Sequence, residues 1–165
     1  MTPEQAIDRI REYIVRVSDL YNRLVLIVGS PRSGKTTVLR AIGLAENAPV
    51  VSVGWQISQC LLDLTERQRV LQLPTILQEA INCLPAEITL LDNTEVLFSP
   101  VLKQDPLRLL QRISRDRTVI TSWLGSVVDG HLTYAVPDHP EFRRYRTEEL
   151  LVVTLDDCSD KVAQG

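Results

Sequence analysis

The hydrophobic residues of this chain follow two alternating patterns. Residues 2–23 carry isoleucine, valine and leucine at helical spacing, with Thr2, Pro3 and Gln5 as the start signals of a capped helix. Short continuous apolar runs come later, in the order RLVLIVG, PVVSVGW, EITLLDN, TVITSW and ELLVVTL. Such runs are typical of strands buried on both faces of a sheet. The pattern therefore predicts an N-terminal helix and five strands.

The segments between these runs have helical character. One begins at Lys35, one extends from about Ile57 to Cys83 with an interruption near Pro74, and one follows Pro106. Strands that alternate with helices predict a parallel sheet covered on both faces. The expected fold is a three-layer α/β domain over residues 1–165, with a five-stranded mainly parallel sheet and no separate lid domain.

Composition narrows the functional classes. The chain has 165 residues, 44% of them hydrophobic, which suffices for one sizeable core. A formal charge of -3 argues against a protein that coats nucleic acid non-specifically, so direct DNA binding is not indicated, although a local contact stays open. The N-terminus lacks the apolar block of a signal peptide, and no apolar run approaches the roughly 18 residues that span a bilayer. We expect no membrane contact and a cytoplasmic location.

A glycine-rich motif follows the first predicted strand. Residues 29–37 read GSPRSGKTT and match the pattern G-x-x-x-x-G-K-[ST] of a phosphate-binding loop, or Walker A motif. Backbone N–H groups and the following helix N-terminus surround phosphates, Lys35 adds positive charge, and the Thr36 hydroxyl binds Mg²⁺. Lysine is informative here, because the chain has 15 arginines and only three lysines. The residues predicted to bind the nucleotide phosphates are Gly29, Ser30, Pro31, Arg32, Ser33, Gly34, Lys35, Thr36 and Thr37.

Asp92 ends the third apolar run and fits a Walker B aspartate, which completes the Mg²⁺ site with Thr36. A complete strand and helix lie between the two motifs. This arrangement resembles the branch of P-loop NTPases that contains the AAA+, RecA-like and STAND ATPases. The resemblance implies the strand order 5-1-4-3-2 and ATP with Mg²⁺ as ligands.

The residue after the Walker B aspartate is often glutamate in that branch, where it polarises the attacking water. Here it is Asn93, which can orient a water molecule but cannot take its proton. Glu95 is an alternative catalytic carboxylate if the turn brings it near the outer phosphate, and a solvated carboxylate otherwise. Whether ATP is hydrolysed or only bound stays open.

Two further groups of polar residues are candidates by analogy with AAA+ proteins. The fourth strand ends in Thr121 and Ser122, of which strand alternation allows only one to face the loop as a sensor of the nucleotide. Arg143, Arg144 and Arg146 precede the last strand, where AAA+ subunits carry an arginine that acts on a neighbouring subunit's nucleotide. Solvated surface arginines are the alternative.

Longer blocks of sequence resemble a particular family, the BrxF P-loop proteins of type 3 bacteriophage exclusion (BREX) systems. The blocks are GSPRSGKTTVLR, VSVGWQISQCLLDL, LLDNTEVLF and LTYAVPDHPEFRRY. The resemblance implies a bacterial antiphage defence component whose partners are other BREX proteins, and a homo-oligomer is possible.

Three functions are compatible with these features. The first is an Mg-ATP-binding switch with slow or partner-activated hydrolysis. The second is a small-molecule or nucleotide kinase, although no arginine-bearing lid insertion is evident. The third is an interaction module that binds a nucleotide without turning it over. A GTPase is disfavoured, since the chain has no N-K-x-D guanine signature.

Overall fold

The computed structural model describes residues 2–134 and 142–155, so residues 135–141 of the block LTYAVPDHPEFRRY lie outside the described residues. The elements in chain order are α1 (Pro3–Val17), β1 (Leu24–Gly29), α2 (Lys35–Glu46), β2 (Val50–Ser52), α3 (Val53–Leu61), α4 (Glu66–Asn82), β3 (Ile88–Asp92), two short 3-10 segments (Thr94–Phe98 and Pro100–Leu102), α5 (Pro106–Ile113), β4 (Thr118–Val128), β5 (His131–Tyr134), β6 (Arg143–Arg146) and β7 (Leu151–Thr154).

The central sheet has the strand order β2-β3-β4-β1-β7, and all four pairings are parallel. Because β7 is the last of the five predicted strands, this order is the predicted 5-1-4-3-2 and confirms it. All six residues of β1 are buried, as its continuous apolar run requires in a sheet covered on both faces. The carboxyl ends of the parallel strands meet at one edge of the sheet.

The expectation of five strands is incomplete, because β4 continues beyond Trp123 to Val128. Its last residues pair antiparallel with β5, which pairs with β6, so the described sheet has seven strands. We call residues 125–128, β5 and β6 the ribbon. Gly125 permits its close pairing, since a Cβ there would lie 1.8 Å from the Thr133 carbonyl oxygen. The sequence boundary at Trp123 marks where burial on both faces ends.

Helix starts follow the predicted chemistry at α1. Thr2 Oγ1 accepts a hydrogen bond from the Gln5 N–H at 3.3 Å, and the Thr2 N–H donates to Gln5 Oε1 at 3.0 Å. Thr65 and Gln68 form the same reciprocal cap at the start of α4, which the sequence analysis missed. The capping satisfies N–H groups that have no partner within the helix.

Two predicted boundaries were wrong. The second strand ends at Ser52 rather than Trp55, and the predicted helix 57–83 is interrupted at residues 62–65 rather than at Pro74. Proline removes the N–H that would donate to the carbonyl four residues earlier. In this chain that carbonyl belongs to Val70, and Gln104 Nε2 donates to it at 2.8 Å. An external donor therefore lets α4 continue through Pro74.

Helices cover both faces of the sheet. One buried cluster lies against α1 and α2, and a larger one lies against α3, α4, α5 and the 3-10 segments. Within the described ranges, no helix combines the length and the apolar character needed to cross a membrane.

Candidate functional site

The phosphate-loop motif joins the carboxyl end of β1 to the first residue of α2, as predicted. Gly34 has φ +99° with open space beside its Cα, and Arg32 also has a positive φ of 65°. Glycine adopts this conformation without strain, which explains its place immediately before the helix. A cleft of about 300 Å³ opens here, lined by Arg32, Gly34, Lys35, Thr36 and Thr37.

The ammonium group of Lys35 lies inside the loop. Its Nζ donates to the carbonyl oxygen of Ser30 at 2.6 Å and to that of Gly29 at 3.1 Å. Burial lowers the pKa of Lys35, and the carboxylates of Glu95 and Asp92 offset part of that shift. The loop therefore holds a positive charge between its own carbonyl groups and two acidic side chains.

The remaining loop residues fold closely around this charge. Gly29 admits no side chain, since a Cβ would lie 2.2 Å from Ser33 Oγ, and Ser33 itself is buried. Ser30 Oγ is buried and has no hydrogen-bond partner in the described part of the chain. Pro31 and Thr37 are exposed at the rim.

Asp92 accepts hydrogen bonds from three sides. Its Oδ2 accepts from Thr36 Oγ1 at 2.8 Å, which joins the two predicted Mg²⁺ ligands. Its Oδ1 accepts from Ser122 Oγ at 2.8 Å and from the Asn93 N–H at 3.0 Å. Of the two sensor candidates, Ser122 is therefore the one whose hydroxyl reaches Asp92, whereas the Thr121 hydroxyl is buried and donates to the Ser122 carbonyl.

Asn93 is hydrogen-bonded to the junction of β2 and α3. Its backbone has a positive φ of 54°, a conformation that asparagine tolerates better than most residues. Its Nδ2 donates to Ser52 Oγ at 3.0 Å, and its carbonyl accepts from the Gly54 N–H at 2.9 Å. Ser52 was missed by the sequence analysis, although it pairs in register with Asp92. The side chain of Asn93 thus supports the junction.

Glu95 belongs to the 3-10 segment Thr94–Phe98, which we call the Glu95 segment. The side chain of Glu95 is partly buried. The negative charge of Glu95 raises the pKa of Lys35 more than the negative charge of Asp92 does. Thr94 Oγ1 fixes the start of the segment by donating to the Ser122 carbonyl at 3.1 Å. The turn therefore brings this carboxylate close enough to Lys35 to affect its charge.

The candidate arginines lie on β6. Arg143 is partly buried and donates to the Gln104 carbonyl at 3.1 Å, whereas Arg144 and Arg146 are exposed. Arg144 Nη2 lies 3.3 Å from His131 Nδ1 on the neighbouring strand. The structure thus places Arg143 against the turn before α5 and leaves the other two on the outer face of the ribbon.

The residues at this edge of the sheet fit a magnesium–triphosphate group. Hydroxyl and carboxylate oxygens, supplied by Thr36 and Asp92, are ligands that Mg²⁺ prefers. Lys35 supplies a phosphate-binding cation, and the helix N-terminus directs backbone N–H groups to the same place. The unpartnered hydroxyl of Ser30 is a further polar group within the loop.

This chain resembles known proteins in its fold. No family model matches the chain, and a search of curated proteins found no relative. The described core is a mostly parallel α/β sheet with the phosphate-loop motif after β1 and an acidic residue at the end of β3, and it shares its fold with solved structures.

Solved structures with this fold include two replication proteins. One is a DNA replication initiation factor (TM-score 0.54, 19% identity, 95% of this chain and 47% of that chain covered). The other is the replication initiator DnaA bound to AMPPCP and single-stranded DNA (TM-score 0.50, 17% identity, 95% and 50% covered). The chain therefore spans about half the length of these proteins.

Proposed function

We propose that this protein binds ATP with Mg²⁺ and is a weak or partner-activated ATPase, which acts as a nucleotide-dependent switch or assembly subunit in BREX antiphage defence. One observation carries the nucleotide site. The Thr36–Asp92 hydrogen bond of 2.8 Å joins the two Walker motifs beside the half-buried ammonium group of Lys35. The AMPPCP in the DnaA structure of the same fold supports a triphosphate ligand.

Each residue of this site has a separate role in the proposed reaction. Lys35 and the loop N–H groups orient the phosphates, and Ser122 holds one oxygen of Asp92 so that the other faces Thr36. Bound Mg²⁺ would neutralise charge on the outer phosphate oxygens. Glu95 is the carboxylate that takes a proton from the attacking water, because the amide of Asn93 cannot do so and already donates to Ser52.

Slow turnover by the isolated protein follows from two features. The Glu95 carboxylate comes from a 3-10 segment rather than from the position directly after Asp92, and among the described residues Arg32 is the one arginine that lines the cleft. An arginine that neutralises the developing charge adds a large factor to the rate of related phosphoryl transfers. We propose that Arg144 or Arg146 supplies it to a neighbouring copy in a homo-oligomer.

The role in defence rests on the sequence blocks that resemble BrxF. A nucleotide-binding domain of this kind changes its contacts with partner proteins when its bound nucleotide changes. This behaviour suits a regulatory subunit of a larger assembly. Its proposed partners are other BREX proteins. Direct contact with DNA remains a weaker proposal, since the overall charge of -3 does not favour it.

The nucleotide site is tested by titrating the protein with Mg-ATP in a calorimeter. Replacing Lys35 by alanine removes a charge-assisted hydrogen bond to phosphate, so ATP affinity should fall about 10- to 100-fold. Lys103→Ala is the matched control, because it also removes one lysine but leaves the loop intact. Equal affinity in the Lys35 and Lys103 variants would overturn the proposal.

A further inference from the structure

Four aromatic rings join the Glu95 segment to the ribbon. Phe98, the last residue of the segment, stacks on Tyr134 of β5 with ring centroids 3.7 Å apart and planes at 15°. It also meets the edge of Trp123 at 4.9 Å and 84°. Trp123 in turn contacts Tyr145 of β6 edge-to-face at 5.8 Å. We call these four residues the aromatic cluster.

Hydrogen bonds fix the cluster at its outer side. Trp123 Nε1 donates to the Thr133 carbonyl at 3.0 Å, which ties the ring to β5. The Tyr145 hydroxyl donates to Asp105 Oδ1 at 3.0 Å, just before α5. Burial and the neighbouring Asp105 raise the pKa of Tyr145, so the hydroxyl stays protonated and keeps this bond. The ring positions are therefore defined by the ribbon and by the start of α5.

The Glu95 segment is short and anchored at both ends. Thr94 bonds the Ser122 carbonyl at its start, and Phe98, 1% exposed, is held in the aromatic cluster at its end. With three residues per turn, Glu95 and Phe98 lie on the same side of the segment, one turn apart. A displacement of the Phe98 ring therefore moves the backbone that carries Glu95.

We propose that Phe98 is a positioning residue for Glu95 and that the ribbon, through the aromatic cluster, sets where this carboxylate lies over the phosphate loop. The inference rests on the proposed function, in which Glu95 acts on the attacking water. The sequence of the ribbon does not indicate this positioning role. A shift of the ribbon changes the rate of hydrolysis and leaves nucleotide affinity alone, because Lys35 and Thr36 belong to other elements and Asp92, besides its bond from Ser122 of β4, is also held by Thr36 and the Asn93 N–H.

The test compares ring removal with ring retention at two places in the cluster. Phe98→Leu keeps an apolar side chain but removes the stacking, and Tyr145→Leu removes a ring that is two contacts away from Phe98. Tyr145→Phe keeps that ring and loses only the hydroxyl. A misplacement of about 1 Å can cost 10²-fold in rate. In single-turnover assays with radiolabelled ATP, both leucine variants should lose at least about tenfold in rate with unchanged ATP affinity, and Tyr145→Phe should recover most of the rate.

A matched core variant separates positioning from general loss of stability. Ile113→Val trims the same hydrophobic core on α5 and removes no aromatic ring. If the leucine variants turn over ATP as fast as Ile113→Val, the cluster is only packing and the proposal is overturned. A parallel fall in rate and in ATP affinity would also overturn it.

A second measurement keeps this inference separate from the proposed function. Hydrogen exchange of the backbone at residues 94–98 reports the Glu95 segment whether or not ATP is hydrolysed. Faster exchange there in Tyr145→Leu, but not in Ile113→Val, supports the coupling even if no variant shows turnover. Unchanged exchange in Tyr145→Leu shows that the ribbon does not hold the segment, and the proposal then fails.

Discussion

At the scale of single residues, the decisive contrast is between Glu95 and Asn93. Glu95→Gln keeps the size of the side chain but removes the base, so single-turnover hydrolysis should fall about 100-fold or more while ATP still binds. Asn93→Gly keeps the positive φ and removes only the amide that bonds Ser52, so it should retain most of the turnover. If Asn93→Gly lost more turnover than Glu95→Gln, Asn93 rather than Glu95 would be the residue that acts on the attacking water.

The same variant makes a pH-dependent prediction for Lys35. The carboxylate of Glu95 raises the pKa of this lysine against the lowering effect of burial, so Glu95→Gln should lower that pKa further. The ammonium form would then be lost at a lower pH, and ATP affinity would begin to fall earlier as pH rises. Carbon-13 NMR of the lysine side chains can follow this titration, since the chain has only three lysines and Lys35→Arg assigns the signal.

The loop and Asp92 could be predicted from the sequence, because each lies at the carboxyl end of a strand that is a continuous apolar run. Sequence alone could not rank Asn93 against Glu95 or Thr121 against Ser122. Those choices depend on which way a turn or a strand faces, and a turn of 3-10 geometry after a positive φ at Asn93 has no clear sequence signal. The Ser52 contact depends on β2 lying beside β3, which only the sheet order decides.

At the scale of elements, Pro74 and Gln104 act as a pair. Gln104→Ala leaves the Val70 carbonyl without its donor, which should cost about 1 kcal/mol in the free energy of unfolding. Pro74→Ala restores an N–H that can bond Val70 within the helix, so Gln104→Ala should cost less in that background. Denaturant unfolding of the four proteins in this cycle measures the difference.

Gln78→Ala is the control for this cycle, because it removes a glutamine of α4 whose amide, within the described part of the chain, donates to the exposed side chain of Asn82. Its cost should be small and the same in both backgrounds. Additive costs for Pro74 and Gln104 would show that Gln104 does not replace the missing helical bond.

The element boundaries that sequence analysis missed share a cause. The helix break was placed at Pro74 by the general behaviour of proline, and a side chain 30 residues away in sequence reversed that outcome. The ribbon was missed because β5 and β6 have only four residues each, which alternate between partly buried and buried in β5 and between partly buried and exposed in β6. Such short alternation is weak evidence against a loop. Tertiary contacts, rather than local preference, decide both.

At the scale of the whole molecule, the ribbon and the nucleotide site belong to one continuous sheet. β4 carries Ser122 at the site and, a few residues later, pairs with β5, which in turn pairs with β6, the strand that bears Arg144 and Arg146. One element therefore links the group that holds Asp92 to the face that we propose contacts another subunit. This arrangement suits a switch, since contact on one side and nucleotide on the other act on the same strand.

Mixing two inactive variants tests whether that contact completes the site. Lys35→Ala binds ATP weakly but keeps its arginines, and the double variant Arg144→Ala with Arg146→Ala keeps full nucleotide binding but lacks the arginines. If an arginine acts in trans, each protein alone should be nearly inactive and the mixture should regain turnover, because a Lys35→Ala subunit supplies the cation to its neighbour's ATP. Turnover should also rise more steeply than protein concentration. A mixture no more active than its components, or full activity of the double variant at high dilution, would place these arginines outside the mechanism.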